Sequence, residues 1–143
     1  MRISDVIGSK TSQDVITIAP DATVRELLSL MAEHNVGALI VSTDGSSVDG
    51  IVSERDVVRR LVDSDDVLDG AVSAIMTVEV ATAAPDTSLD EMRALMTERR
   101  IRHVPVVKDG RLTGIISIGD VVKAAMDQLQ FERDQLDTYL HQT

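Results

Sequence analysis

A chain of 143 residues with 43% hydrophobic content can bury an interior, while its formal charge of −10 sets it against nucleic-acid phosphates, whose binding relies on dense Lys and Arg. Its only aromatic residues, Phe131 and Tyr139, lie in the C-terminal tail, so the body has no ring on which a base could stack, and nucleic acid is not an expected partner. With no cysteine, thiol catalysis, disulfides and thiolate metal sites are excluded.

The N-terminus, Met1-Arg2-Ile3-Ser4-Asp5, runs into polar residues without the apolar stretch of a signal peptide. No run approaches the roughly 20 apolar residues of a membrane span. The expectation is a soluble cytoplasmic protein with no membrane partner. A short helix over Ile3 to Ile7 is followed by a strand, Val15 to Ile18, closed by Pro20, which cannot donate to a ladder. A helix then runs from about Ala22 to His34. Thr23 and Glu26 have the spacing of a capping box, and Val24, Leu27, Leu28 and Met31 share one apolar face. Ala38 to Val41 and Gly50 to Val52, either side of the Asp44-Gly45 turn, read as a β-hairpin, and a second helix starts at Ser53.

Asp63 to Gly70 is acidic and reads as a solvated connector; the chain then repeats itself. A short helix over Ala71 to Met76 precedes a strand, Val78 to Thr82, closed by Pro85. A helix follows from Leu89 to about Arg100, with Ser88 and Glu91 as its box and Leu89, Met92 and Met96 as its face. The methionines of both faces read as core filler. A hairpin, His103 to Val107 and Gly114 to Ile116 around Asp109-Gly110, leads to a helix from Ser117. Val15, Thr17, Pro20 and Asp21 recur as Val80, Thr82, Pro85 and Asp86, shifted by 65, and past the turn the shift is 64. Copies this small bury too little surface alone, so they are expected to share one core. The boundaries are 1–62 and 71–126 for the repeats, 63–70 for the connector and 127–143 for an amphipathic tail helix with Leu129, Leu136 and Leu140 on nearly one face. The class is α/β.

The most chemical part of the repeat is Gly50-Ile51-Val52-Ser53-Glu54-Arg55-Asp56 against Gly114-Ile115-Ile116-Ser117-Ile118-Gly119-Asp120. Where a strand hands over to a helix, Ser53 and Asp56 can cap the helix and complement its dipole. The same helix end offers amides and a hydroxyl to phosphate, beside a carboxylate able to accept bonds from a ribose diol. The motif alone does not choose between capping and binding.

Together with Thr17-Ile18-Ala19-Pro20, Asn35-Val36-Gly37-Ala38 and Ile101-Arg102-His103-Val104-Pro105, these motifs make the chain from Ile3 to about Met126 resemble a tandem pair of cystathionine-β-synthase (CBS) domains, a Bateman module. The resemblance implies two β-α-β-β-α repeats related by pseudo-twofold symmetry, two nucleotide clefts assembled crosswise, and association of two tandem pairs into a flat disc. Ser117 and Asp120 would then meet Thr17 and the segment Val36, Gly37, Ala38. Ser53 and Asp56 would meet Thr82 and the segment Ile101, Arg102, His103, with Pro105 beyond it. The implied ligand is an adenosine compound: AMP, ADP, ATP, NAD or S-adenosylmethionine.

The two clefts differ, because Val36-Gly37-Ala38 is neutral where Ile101-Arg102-His103 is not. Arg99, Arg100 and Arg102 suit phosphate oxygens, although Arg99 and Arg100 also suit the C-terminal end of their helix. Arg55 can reach a phosphate or pair with its acidic neighbours. His34 and His141 have no partner pattern and read as helix-end residues. The leading reading is a regulatory module that senses energy or redox state through an adenine nucleotide, acts on an unknown partner or by self-association, and is a homodimer without a catalytic cofactor. The alternatives are a structural dimerisation module without ligand, and a nucleotide-processing enzyme, for which no base, nucleophile or metal constellation is visible.

Overall fold

Each repeat is built on a hydroxyl that starts a helix. The computed structural model describes residues 1–9 and 15–141. In chain order these form α1 (Ile3–Ser9), β1 (Thr17–Ile18), α2 (Val24–His34), β2 (Ala38–Val41), β3 (Gly50–Ser53), α3 (Glu54–Asp63), α4 (Leu89–Arg99), β4 (His103–Lys108), β5 (Arg111–Ser117) and α5 (Ile118–Leu140). The Thr23 hydroxyl accepts from the Glu26 amide at 3.1 Å and Glu26 accepts from the Thr23 amide at 3.2 Å, closing the expected box. At α4 the hydroxyl half is present, with Ser88 accepting from the Glu91 amide at 3.1 Å.

The first sheet has the order β1-β2-β3, parallel and then antiparallel; the second is the hairpin β4-β5. The strand expected over Val78 to Thr82 does not form. In its place a single parallel bridge joins Ala83 to Val106, the counterpart of Ile18 against Val41 in the first repeat. Ala81 and Ala83 stand where the first repeat has Ile16 and Ile18, so less apolar surface holds this segment to the sheet. The acidic connector is also more ordered than expected. Asp65–Asp69 is a 3-10 helix capped by Ser64, whose Val67 and Leu68 pack against the first repeat.

The interior consists of two clusters, and the repeats share it by exchange. Ile3 and Val6 of α1 pack with Leu89, Met92, Met96 and Ile116 of the second repeat. Val72 and Ile75, in and just after the 3-10 helix Val72–Ala74 that precedes the second repeat, pack with Val24, Leu27 and Val52 of the first. Equivalent backbone bonds fasten both exchanges, from the Ile3 amide to Thr87 O at 2.8 Å and from the Val72 amide to Ala22 O at 2.8 Å. Helix α5 is held by buried Val121 and Ala124, and beyond Ala125 its described side chains are all exposed.

Candidate functional site

The two Ser-x-x-Asp motifs fold as reciprocal caps. The Ser53 amide donates to Asp56 Oδ2 at 2.8 Å and the Ser53 hydroxyl accepts from the Asp56 amide at 3.3 Å. In the second repeat the matching distances are 2.9 and 3.1 Å. Capping is therefore part of what the motif does, and in α3 it engages Oδ2 of the carboxylate.

Each cap is pinned to the residue just before the first strand of its own hairpin, β2 or β4. The Glu54 amide donates to Gly37 O at 3.0 Å, and the Ile118 amide to Arg102 O at 2.8 Å. Strand register sets Ala38 opposite Ser53 and His103 opposite Ser117. Gly37 packs closely on this helix start: a Cβ there would stand 2.7 Å from Glu54 Oε1, the mobile end of a side chain.

Between the repeats opens a cleft of about 610 Å³. It brings Ser53 and Asp56 together with Ile101, Arg102 and His103 across the repeat boundary, and adds Gly37 and Ala38 from the first repeat. Thr77 lies on its wall. The other residues read as site candidates stand outside its lining. Thr17 is half-buried in β1 against Ile40, Val36 is 36% exposed, Thr82 is exposed and Pro105 is buried in β4. Ser117 and Asp120 form the second cap.

The electrostatics of this cleft run against the chain. Four arginines, Arg55, Arg59, Arg100 and Arg102, line it against two carboxylates, Glu54 and Asp56, in a protein of net charge −10. Arg59 went unread in the sequence, although its signal was there: it sits one helical turn beyond Arg55 and shares that face. Arg100 also enters the cleft, whereas Arg99 stays in the last turn of α4 outside the lining. His34 and His141 are helix-end residues on the surface. Among the described residues no group of three or more His, Asp or Glu side chains could hold a metal ion, and no helix is long and apolar enough to cross a membrane.

Comparison with known proteins places this architecture. A family model described as the CBS domain matches twice, over residues 3–63 and 72–127. The mitochondrial CBS domain-containing protein CBSX3 of Arabidopsis thaliana is 38% identical, over 96% of this chain and 71% of its own. The crystal structure of the CBS-domain containing protein ATU1752 from Agrobacterium tumefaciens is 38% identical and superposes with a TM-score of 0.82, covering 87% of this chain and 99% of that one. The CBS domain pair of protein MJ0100, in complex with 5′-methylthioadenosine and S-adenosyl-L-methionine, is 25% identical with a TM-score of 0.76, covering 87% of this chain and 98% of its own. With the motif found twice, on two equivalent strand-to-helix junctions, the chain belongs to the CBS domain family as a tandem pair of repeats.

Proposed function

We propose that the chain is a non-catalytic regulatory module that binds an adenosine phosphate, AMP, ADP, ATP or NAD, in the cleft beside Asp56. The observation that carries the reading is the local excess of guanidinium groups in an acidic protein, set beside a capped helix end and a carboxylate. Fixed cations focus a positive field in a cleft and offset the repulsion that a net charge of −10 exerts on a polyanion. Guanidinium forks match phosphate oxygens, and the Asp56 carboxylate can accept bonds from a ribose diol. The adenosine ligands of the MJ0100 pair support the nucleoside part.

The output passes through a partner protein or through self-association, and residues 1–62 and 71–126 are the two halves whose relative placement the ligand biases. A ligand shifts such an equilibrium only by its difference in affinity between the two states. The test is mass spectrometry of small molecules released from the purified, denatured protein, followed by calorimetry with adenosine, AMP, ATP and GTP. An adenosine phosphate recovered intact and bound in preference to GTP supports the reading. Absence of binding makes the chain a structural module, and turnover of the nucleotide makes it an enzyme.

A further inference from the structure

Helix α5 outruns the rest of the protein. The CBS match ends at residue 127 and the helix continues to Leu140, with every described side chain beyond Ala125 exposed. Along one face Val122, Met126, Leu129, Arg133, Leu136 and Leu140 follow alternating steps of four and three, the spacing of a coiled-coil seam. Its five apolar members are 51 to 65% exposed. Glu132 and Asp137 stand on its two edges, and Arg133, within it, makes no salt bridge among the described residues. An unsupported helix reaching from Met126 to Leu140 is near the limit of about 12 to 15 residues below which a helix is marginal in water, so a cover on the seam stabilises it.

The charges decide what that cover is. From Asp127 to Leu140 the helix carries Asp127, Glu132, Asp134 and Asp137 against Arg133 alone. Such a balance repels nucleic acid and anionic lipid, and helices that lie on membranes carry Lys and Arg on their polar face. A second copy fits poorly in either direction: run parallel it stacks Arg133 on Arg133, and run antiparallel about Phe131 it sets Glu132 beside Glu132. We propose that the seam docks a basic amphipathic helix of a different protein, with Lys or Arg flanking its apolar row and a carboxylate in the layer opposite Arg133. Basic flanks then face Glu132 and Asp137, and the single polar layer at Arg133 fixes the register. No residue that lines the cleft beside Asp56 belongs to α5, so this surface stands or falls separately from nucleotide binding.

The test uses the full chain without nucleotide and three synthetic helical peptides that share one leucine seam. The first has lysine flanks and a central glutamate, the second glutamate flanks and the same centre, the third lysine flanks and a central lysine. Arg133 is the middle of the layers Met126, Leu129, Arg133, Leu136 and Leu140, so the central residue meets it whichever way the peptide runs. In calorimetry the first peptide is expected to bind at least about tenfold more tightly than either of the others. Arg133→Glu should reverse the preference between central glutamate and central lysine, and Leu129→Lys combined with Leu136→Lys should abolish binding. Failure of the first peptide to bind, equal binding of the first two, or a preference unmoved by Arg133→Glu overturns the proposal. So does binding of the parent to phosphatidylserine vesicles that the double lysine variant loses, which would put a membrane on the seam. A mass in light scattering that falls with the same variant would put a second copy there, and would overturn it equally.

Discussion

Arg100 occupies in the second repeat the left-handed backbone position that Asn35 occupies in the first, with φ 55° and ψ 44° against φ 54° and ψ 50°. Each closes its helix by donating its amide to a methionine carbonyl, of Met96 and of Met31. Asparagine is tolerated there because its short polar side chain bonds locally; arginine carries the full clash of a Cβ with the carbonyl, about 1 kcal/mol. The strained residue is the one that lines the arginine-rich cleft.

Arg100→Asn should therefore separate stability from binding. The variant is expected to gain up to about 1 kcal/mol in urea denaturation. It is also expected to bind ATP about tenfold more weakly, with one charge-assisted contact gone. A variant that is less stable, or that binds ATP as tightly as the parent, would show that Arg100 sits there for packing.

The glycines that open the two motifs answer to the exchanged lead segments. A Cβ on Gly114 would stand 2.8 Å from Ile7 Cδ1, the mobile end of a side chain. A Cβ on Gly50 would stand 2.9 Å from Thr77 O, a backbone atom that accepts the Ile51 amide at 3.0 Å. Gly50→Ala should cost about 2 to 3 kcal/mol, and Gly114→Ala about 1, where a side chain can shift aside. Urea titration of both variants gives the ranking, and the reverse order would contradict the exchange as their cause.

Much of this was legible because it is local. The hydroxyl caps at Thr23, Ser53, Ser88 and Ser117 each reach only three residues along the chain, so spacing alone reveals them. The repeat register and Val78, Val80 and Thr82 suggest a strand over Val78 to Thr82, but Ala81 and Ala83 replace the isoleucines Ile16 and Ile18 that hold β1 to its sheet, and only one bridge forms. The exchange of Ile3 and Val72 between repeats is a tertiary choice between two chemically similar apolar faces, and no short-range pattern distinguishes them. The cleft is a tertiary product for the same reason: it brings Ile101 to His103 to Asp56 across the repeat boundary, and strand pairing carries in Gly37 and Ala38 as well.

Asp44 provides a marker for the first hairpin loop. The amides of Ser47 and Ser46 donate to its Oδ1 at 2.8 and 2.9 Å and lower its pKa from 3.8 to about 2. Because the folded value is depressed, its contribution to stability is complete above pH 3.8 and is lost as pH falls through about 2. Carboxyl NMR should show Asp44 titrating near pH 2, and Asp44→Asn should remove that part of the acid sensitivity between pH 4 and 2. A midpoint near 4 would mean that the loop does not hold these bonds in solution.

The arginines of the cleft should act on phosphate and leave the nucleoside alone. Arg59 and Arg102 approach from opposite repeats, Arg59 from α3 and Arg102 from the loop that leads into β4, and neither side chain takes part in the Ser53–Asp56 cap. Removing either should leave adenosine binding within about twofold and weaken ATP by about ten- to a hundredfold, the worth of a charge-assisted contact at 1.5 to 3 kcal/mol. AMP, with a single phosphate, should lose less than ATP. Salt should mimic the substitutions, since screening at high ionic strength weakens exposed charge pairs and leaves apolar and neutral contacts in place. Calorimetry with the three ligands on Arg59→Ala, Arg102→Ala and the parent decides the matter: equal losses for adenosine and ATP would make these arginines structural, and no loss in either variant would remove the phosphate from this cleft.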